Sequence, residues 1–217
     1  MRIRIRTEQL RIVAVVLAVA FLAGAIGWRI AQPRTTPSSS PSVGFLYDMI
    51  AHHEQAIAMA AVELAHGTNT DVKRFAEEIH RFQSYEIGLM ERLLVEQGHD
   101  RYDAPDDAMA WMGHHGMARD EMPGLASDDE MDGLQAATGS DVDARFLALM
   151  IDHHAGGIDM AETAAKTAGN DDVRALAARI ASVQTQEIAE LVAAASRASL
   201  TLPPDGVTWD VYRPPSS

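Results

Sequence analysis

Between residues 43 and 66 apolar side chains recur every three to four positions, at Leu46, Met49, Ile50, Ile57, Ala60 and Leu64. That is the period of one face of an α-helix. A polar turn, Gly67-Thr-Asn-Thr, then supplies a breaker and cap residues. A second stripe follows at Val72, Phe75, Ile79, Phe82, Met90 and Leu93 and predicts a helix over residues 71–97. The pattern returns later in the chain, with helices expected over 143–168 and 172–199 around a second polar turn, Gly169-Asn-Asp.

The return is a duplication. At an offset of 101 residues, positions 45–87 match their counterparts at 17 of 43 places without a gap, against the three or four expected by chance. Repeats over 43–98 and 143–199 therefore each form a helical hairpin. Short connections make consecutive helices antiparallel, so the expected fold is all-α: a four-helix bundle of two duplicated hairpins, occupying residues 43–200. A connector over 104–142 joins the copies, and within it Ser127-Asp-Asp-Glu130 is a capping box opening a short helix that ends near Gly139. Residues 201–217 read as an irregular Pro-rich tail, pinned by Trp209.

The N-terminus has another character. Arg2, Arg4, Arg6 and Arg11 precede an uncharged apolar run, residues 12–28, closed by Arg29. Its 17 residues rise about 25 Å as a helix, at the short limit for a transmembrane span. Residues 1–30 thus read as a membrane anchor or a signal segment, with the basic side held in the cytoplasm. Ala23-Gly24-Ala25 offers a cleavage site, but the apolar run continues past it, which favours a retained single-pass anchor. Residues 31–42 form a Pro/Ser/Thr linker. The body is then extracytoplasmic, membrane-held in one case, secreted or periplasmic in the other.

Composition narrows the chemistry. Hydrophobic residues make up 47% and aromatics 6%, a balance suited to close-packed helices. Cysteine is absent, which excludes disulfides, thiolate ligands and a Cys nucleophile. Residues 1–34 carry six arginines and one glutamate, leaving a body with 12 basic and 30 acidic residues. Such a body repels nucleic acid and attracts cations. No Ser/His/Asp spacing or phosphate-binding glycine loop stands out, so nothing supports a hydrolase.

At 100° per residue, His53 and His154 fall within the apolar stripes, while His52 and His153 lie at their edge. Gln83 with Glu86, and Gln184 with Glu187, sit in the middle of the other stripes. A buried carboxylate is costly unless paired or bound to a cation. Two readings stay open: a His–Glu–Gln network that fixes register, and a metal held between helices. The pairs Glu63-x-x-His66 and Glu77-x-x-His80 do not repeat and are expected to face solvent. In the connector, Met109, Met112, His114, His115 and Met117 are followed by Met122 and Met131. Thioether with imidazole favours Cu(I), and imidazole also serves Cu(II) or zinc; core-filling methionines are the alternative. Met49, Met59, Met150 and Met160 flank the histidine pairs and are expected to extend such a surface.

The run Met49-Ile-Ala-His52-His53-Glu-Gln-Ala-Ile57-Ala-Met59-Ala60, with Gln83-x-x-Glu86-Ile87 and their second copies, resembles the domain-of-unknown-function 305 family over about residues 43–197, the Asp129-Glu130-Met131 stretch included. The resemblance implies a ferritin-like fold in a mostly bacterial, exported family, some of whose members bind copper through Met and His. Carried over by position, the ligands would be His52, His53, Met49, Met59, His153, His154, Met150 and Met160, with the connector's Met and His. The leading expectation is copper sequestration or handling by exposed Met and His ligands. The alternatives are a bundle-core iron or manganese enzyme using His53, Glu86, His154 and Glu187, and a structural module without metal. Metal ion and membrane are the expected partners; a protein partner is left open.

Overall fold

The protein is described by a computed structural model covering residues 7–31 and 35–202. It divides into two units, residues 1–35 and 36–217. The first unit holds α1 (Thr7–Ala31), with Ile12, Val15, Phe21 and Leu22 exposed on it. The transmembrane expectation does not carry over: among the described residues no helix is long and apolar enough to cross a membrane. Arg2, Arg4, Arg6 and most of the tail, Trp209 included, lie outside the described residues.

Among the described residues the second unit is built from helices and one irregular connector. It contains α2 (Pro41–His66), α3 (Thr70–Glu96), α4 (Asp128–Ala136), α5 (Ser140–Thr167) and α6 (Asp171–Ala198). The two long hairpins are α2–α3 and α5–α6. Ser40 caps α2 ahead of Pro41, whose missing N–H costs nothing in the first turn. Asn69 and Asn170 cap α3 and α6 identically, each side-chain oxygen accepting from two backbone N–H groups. Each such cap is worth about 1 kcal/mol. The Ser127–Glu130 capping box forms as expected, although α4 ends at Ala136, before Gly139.

The hairpins meet mainly through α2 and α5. Asp143, at the start of α5, accepts from the N–H groups of Thr68 and Asn69 just beyond the end of α2 (2.9 and 3.0 Å). Reciprocally, Ser42 at the start of α2 accepts from Asn170 N–H beyond the end of α5 (3.1 Å). The two helices are therefore antiparallel, with the histidine pairs halfway along. Phe45, Phe146, Leu46 and Leu147 are fully buried at equivalent positions of the two repeats.

Several expectations change. Phe82 is 51% exposed rather than in the core stripe. Glu63 is fully buried rather than solvent-facing, because the start of α5 and the turn at Gly67 close over it. Met49, Met59, Met150 and Met160 are all fully buried; the His–Met face of α2 meets that of α5 and forms the bundle's centre, not a surface. From Thr36 onward the linker is tied to the body, Thr36 N–H donating to the Gln97 carbonyl (3.2 Å).

Candidate metal centre

The four histidines converge because equivalent positions on antiparallel helices meet at the middle. All four are fully buried, and the rings of His52 and His153 lie 3.8 Å apart, tilted by 41°. Each Nε2 has one partner. His53 Nε2 lies 2.9 Å from Glu86 Oε2, and His154 Nε2 lies 2.9 Å from Glu187 Oε2. His52 Nε2 donates to the Pro123 carbonyl (3.2 Å) and His153 Nε2 to the His52 carbonyl (2.8 Å). A carbonyl only accepts, so in the second pair Nε2 carries the proton and Nδ1 a lone pair. The Nδ1 atoms of all four rings are buried without a hydrogen-bond partner.

Burial, reinforced by the neighbouring His53, pulls the His52 pKa down to about 3. Burial and the adjacent His52 hold His153 well below the usual imidazole range. Both rings are neutral at physiological pH. Burial with a tied Nε2–H and a bare Nδ1 is the state in which an imidazole ligates a metal, its other nitrogen oriented by a carboxylate or carbonyl. Among the described residues, no group of three or more His, Asp or Glu is arranged to hold a metal ion; His53 with Glu86 and His154 with Glu187 form two pairs. Gln83 and Gln184 are also buried, with neither amide atom hydrogen-bonded.

The connector is not a loose polar linker. Three α2 residues one helical turn apart, Asp48, His52 and Gln55, hold it down. Asp48, buried, accepts from Met109 N–H, Trp111 Nε1 and Arg119 Nη1, each at 2.8 Å. Gln55 exchanges two 2.7 Å bonds with the backbone of Ala126. Consequently Met109 and Met122 are buried, Met112, Met117 and Met131 are half-buried, and His114 and His115 stay exposed. Ala108 pairs with Met117 and closes the loop that carries these histidines. The expected surface cluster is thus reduced to Met112, His114, His115 and Met117.

Residues 42–195 match the family model for the domain of unknown function DUF305. The chain belongs to the DUF305 family. A DUF305 protein of Streptomyces coelicolor, a candidate secreted protein, is 28% identical with a TM-score of 0.70, over 77% of this chain and 99% of its own. A DUF305 fragment from Deinococcus radiodurans is 27% identical with a TM-score of 0.63, over 76% and 99%. CopM in its Cu(I)-bound form is 25% identical with a TM-score of 0.52, over 71% and 94%. Among curated proteins none matches.

Asp48 and the Pro123 carbonyl, which fasten the connector over this DUF305 centre, escape a reading by periodicity, and so do Glu63 and Asp143 at the far end of α2. Asp48 has Leu149 as its counterpart, so the duplication gives no hint of it. The Pro123 carbonyl is backbone, and the sequence is silent on it. Glu63 lies beside Asp143, and burial first, then that neighbour, pushes its carboxyl up to about 8. Burial works to raise Asp143 as well, but hydrogen bonds from Asn69 and Thr68 outweigh it and hold that carboxyl below its usual range. An acidic residue in the first turn after a helix breaker, Gly139-Ser-Asp-Val-Asp143, is the available signal for the latter.

Proposed function

We propose that this DUF305 protein is a non-enzymatic copper-binding protein that works outside the cytoplasm. The observation that carries the reading is the set of four buried imidazoles with unpartnered Nδ1 atoms. Neutral imidazole suits copper, and the thioethers of Met49 and Met150, one turn before His53 and His154, add the soft donors that select Cu(I). Cu(I) is content with two or three ligands, so pairs of imidazoles, or imidazole with thioether, suffice where no larger oxygen-and-nitrogen cluster exists. Iron or manganese would call for several converging carboxylates, and Glu86 and Glu187 are each engaged by a histidine. The Cu(I)-bound relative at 25% identity supports the same metal.

Met112, His114, His115 and Met117 form a second, solvent-accessible set on the connector loop, suited to capture, with the acidic body concentrating cations around it. The N-terminal segment serves export, with a cleavage site offered at Ala23-Gly24-Ala25; the candidate secreted relative supports export.

The test is metal content and Cu(I) titration of the purified protein without a metal-binding tag. Ala substitution of Met112, His114, His115 and Met117 removes the weaker, fast-exchanging copper. Substitution of His53 and His154 by Ala removes the tightly held copper. Tightly held iron or manganese, or no metal at all, contradicts the reading.

A further inference from the structure

The four imidazoles have no direct opening to solvent, so an ion needs a way in. On the side of His52 the connector lies across the site, with Pro123 on His52 and Ala126 on Gln55. Between α3 and α6, however, runs a cleft of about 200 Å³ lined by Gln83, Glu86, Arg179, Gln184 and Glu187. That volume admits several waters at roughly 30 Å³ each. Its rim carries Phe82 and Val183, equivalent positions of the two repeats that are 51% and 40% exposed.

Three observations link this cleft to the imidazoles. First, the side chains of Glu86 and Glu187 are 13% and 20% exposed, yet their Oε2 atoms bond His53 and His154. Each carboxylate therefore reaches from the cleft wall to a buried ring. Second, Gln83 and Gln184 are 3% and 2% exposed, and all four of their amide atoms lack a partner. A buried unpaired polar group costs about 1–3 kcal/mol, so four of them lining one cleft point to a ligand that pairs with them. Third, Gln184 Oε1 and His52 Cε1 border the same space beside Gly157, 2.5 and 3.3 Å from where a Cβ would stand. Gln184 thus stands between the cleft and the His52 ring, in room that a side chain at residue 157 would fill.

The charges are asymmetric. Arg179 Nη2 lies 3.3 Å from Glu86 Oε1, and its side chain is 49% exposed; the equivalent residue of the first repeat is Glu78. With His53 and His154 behind the carboxylates, Arg179 is the group in the cleft that opposes an incoming cation.

We propose that the α3–α6 cleft is the mouth through which a soft metal cation reaches the buried imidazoles. In this route Glu86 and Glu187 make the first contact, the Gln83 and Gln184 amides exchange ligands with the ion, and Arg179 slows its passage. The inference rests on the copper reading above and adds the path to it. Ag(I), which does not change oxidation state, is the probe. The readout is the rate at which the full chain, carrying the Met112, His114, His115 and Met117 to Ala changes, takes Ag(I) from a coloured chelator.

Val183→Trp, at the rim, is expected to slow uptake tenfold or more. Arg179→Ala is expected to speed it several-fold, with the gain shrinking as salt is raised. Uptake by Val183→Trp within a factor of two of the parent overturns the route. If that variant fails to fold by circular dichroism, Arg179→Ala decides alone, and an unchanged or slower rate overturns the route. In either case Ag(I) still bound at the imidazoles leaves the copper reading standing. A parent chain that takes up no Ag(I) overturns both.

Discussion

An imidazole in water titrates near 6.5 and loses its metal to protons as pH falls through that value. His52, drawn down to about 3 by burial and by His53, does not meet that competition until far lower. The affinity that His52 and His153 contribute, read as Ag(I) bound by a His53→Ala and His154→Ala variant in chelator competition, is therefore expected to stay within about threefold between pH 7.5 and 5.5. Stability behaves differently. Below 6.5 the unfolded chain binds protons that folded His52 and His153 refuse, so stability falls with pH. For His52 the loss is about 2 kcal/mol at pH 5, and His153 adds to it in the same direction, to be read from urea midpoints across pH. Glu63 has the opposite sign: its folded pKa of about 8 lies above the unfolded value, so stability falls as pH rises from about 4.5 to 8. Glu63→Gln is expected to stabilise the protein at pH 7 by up to about 3 kcal/mol and to flatten that slope. Helical periodicity made His53, His154, Gln83 and Gln184 legible as interior residues. It put His52 and His153 only at the edge, because what covers them is a neighbouring segment, and it missed Glu63 for the same reason.

Among the elements, the connector departs most from its sequence. The capping box of α4 is local and could be read; the docking of residues 104–126 on α2 is tertiary and could not. One buried carboxylate organises that docking. Asp48 holds the backbone of Met109, which adopts φ 60°, along with Trp111 and Arg119. A non-glycine residue in that left-handed region costs about 1–2 kcal/mol, and the Asp48 bond to its N–H offsets it. Asp48→Ala takes the acceptor away from three donors, leaving Arg119 only its bond to the Pro105 carbonyl, and is expected to cost about 3 kcal/mol in urea denaturation. Proteolysis of the folded variant should then cut within residues 104–126, where the parent resists. The hairpins are legible to within three residues at their ends, because Asn69 and Asn170 cap them locally and the polar turns break them.

At the scale of the molecule, the antiparallel pairing of two hairpins builds the centre. Their matching sequences bring His52 and His53 up against His153 and His154, so a motif that carries two imidazoles yields four. The two hairpins differ where only one partner is needed: Asp48 against Leu149 for the connector, Arg179 against Glu78 in the cleft, Gly157 against Ala56 beside His52. The all-α fold and its two long hairpins could be read from the chain. The burial of Met49, Met59, Met150 and Met160 could not, since periodicity shows which residues share a face and not which face meets its copy. The central claim is that the four Nδ1 atoms are metal ligands. Its most direct test is a long-range proton–nitrogen NMR spectrum of the histidines during Ag(I) titration. The account predicts that Nδ1 of His52, His53, His153 and His154 shifts on binding while Nε2 remains protonated. Shifts confined to His114 and His115, with the four buried rings unchanged at saturation, would contradict it.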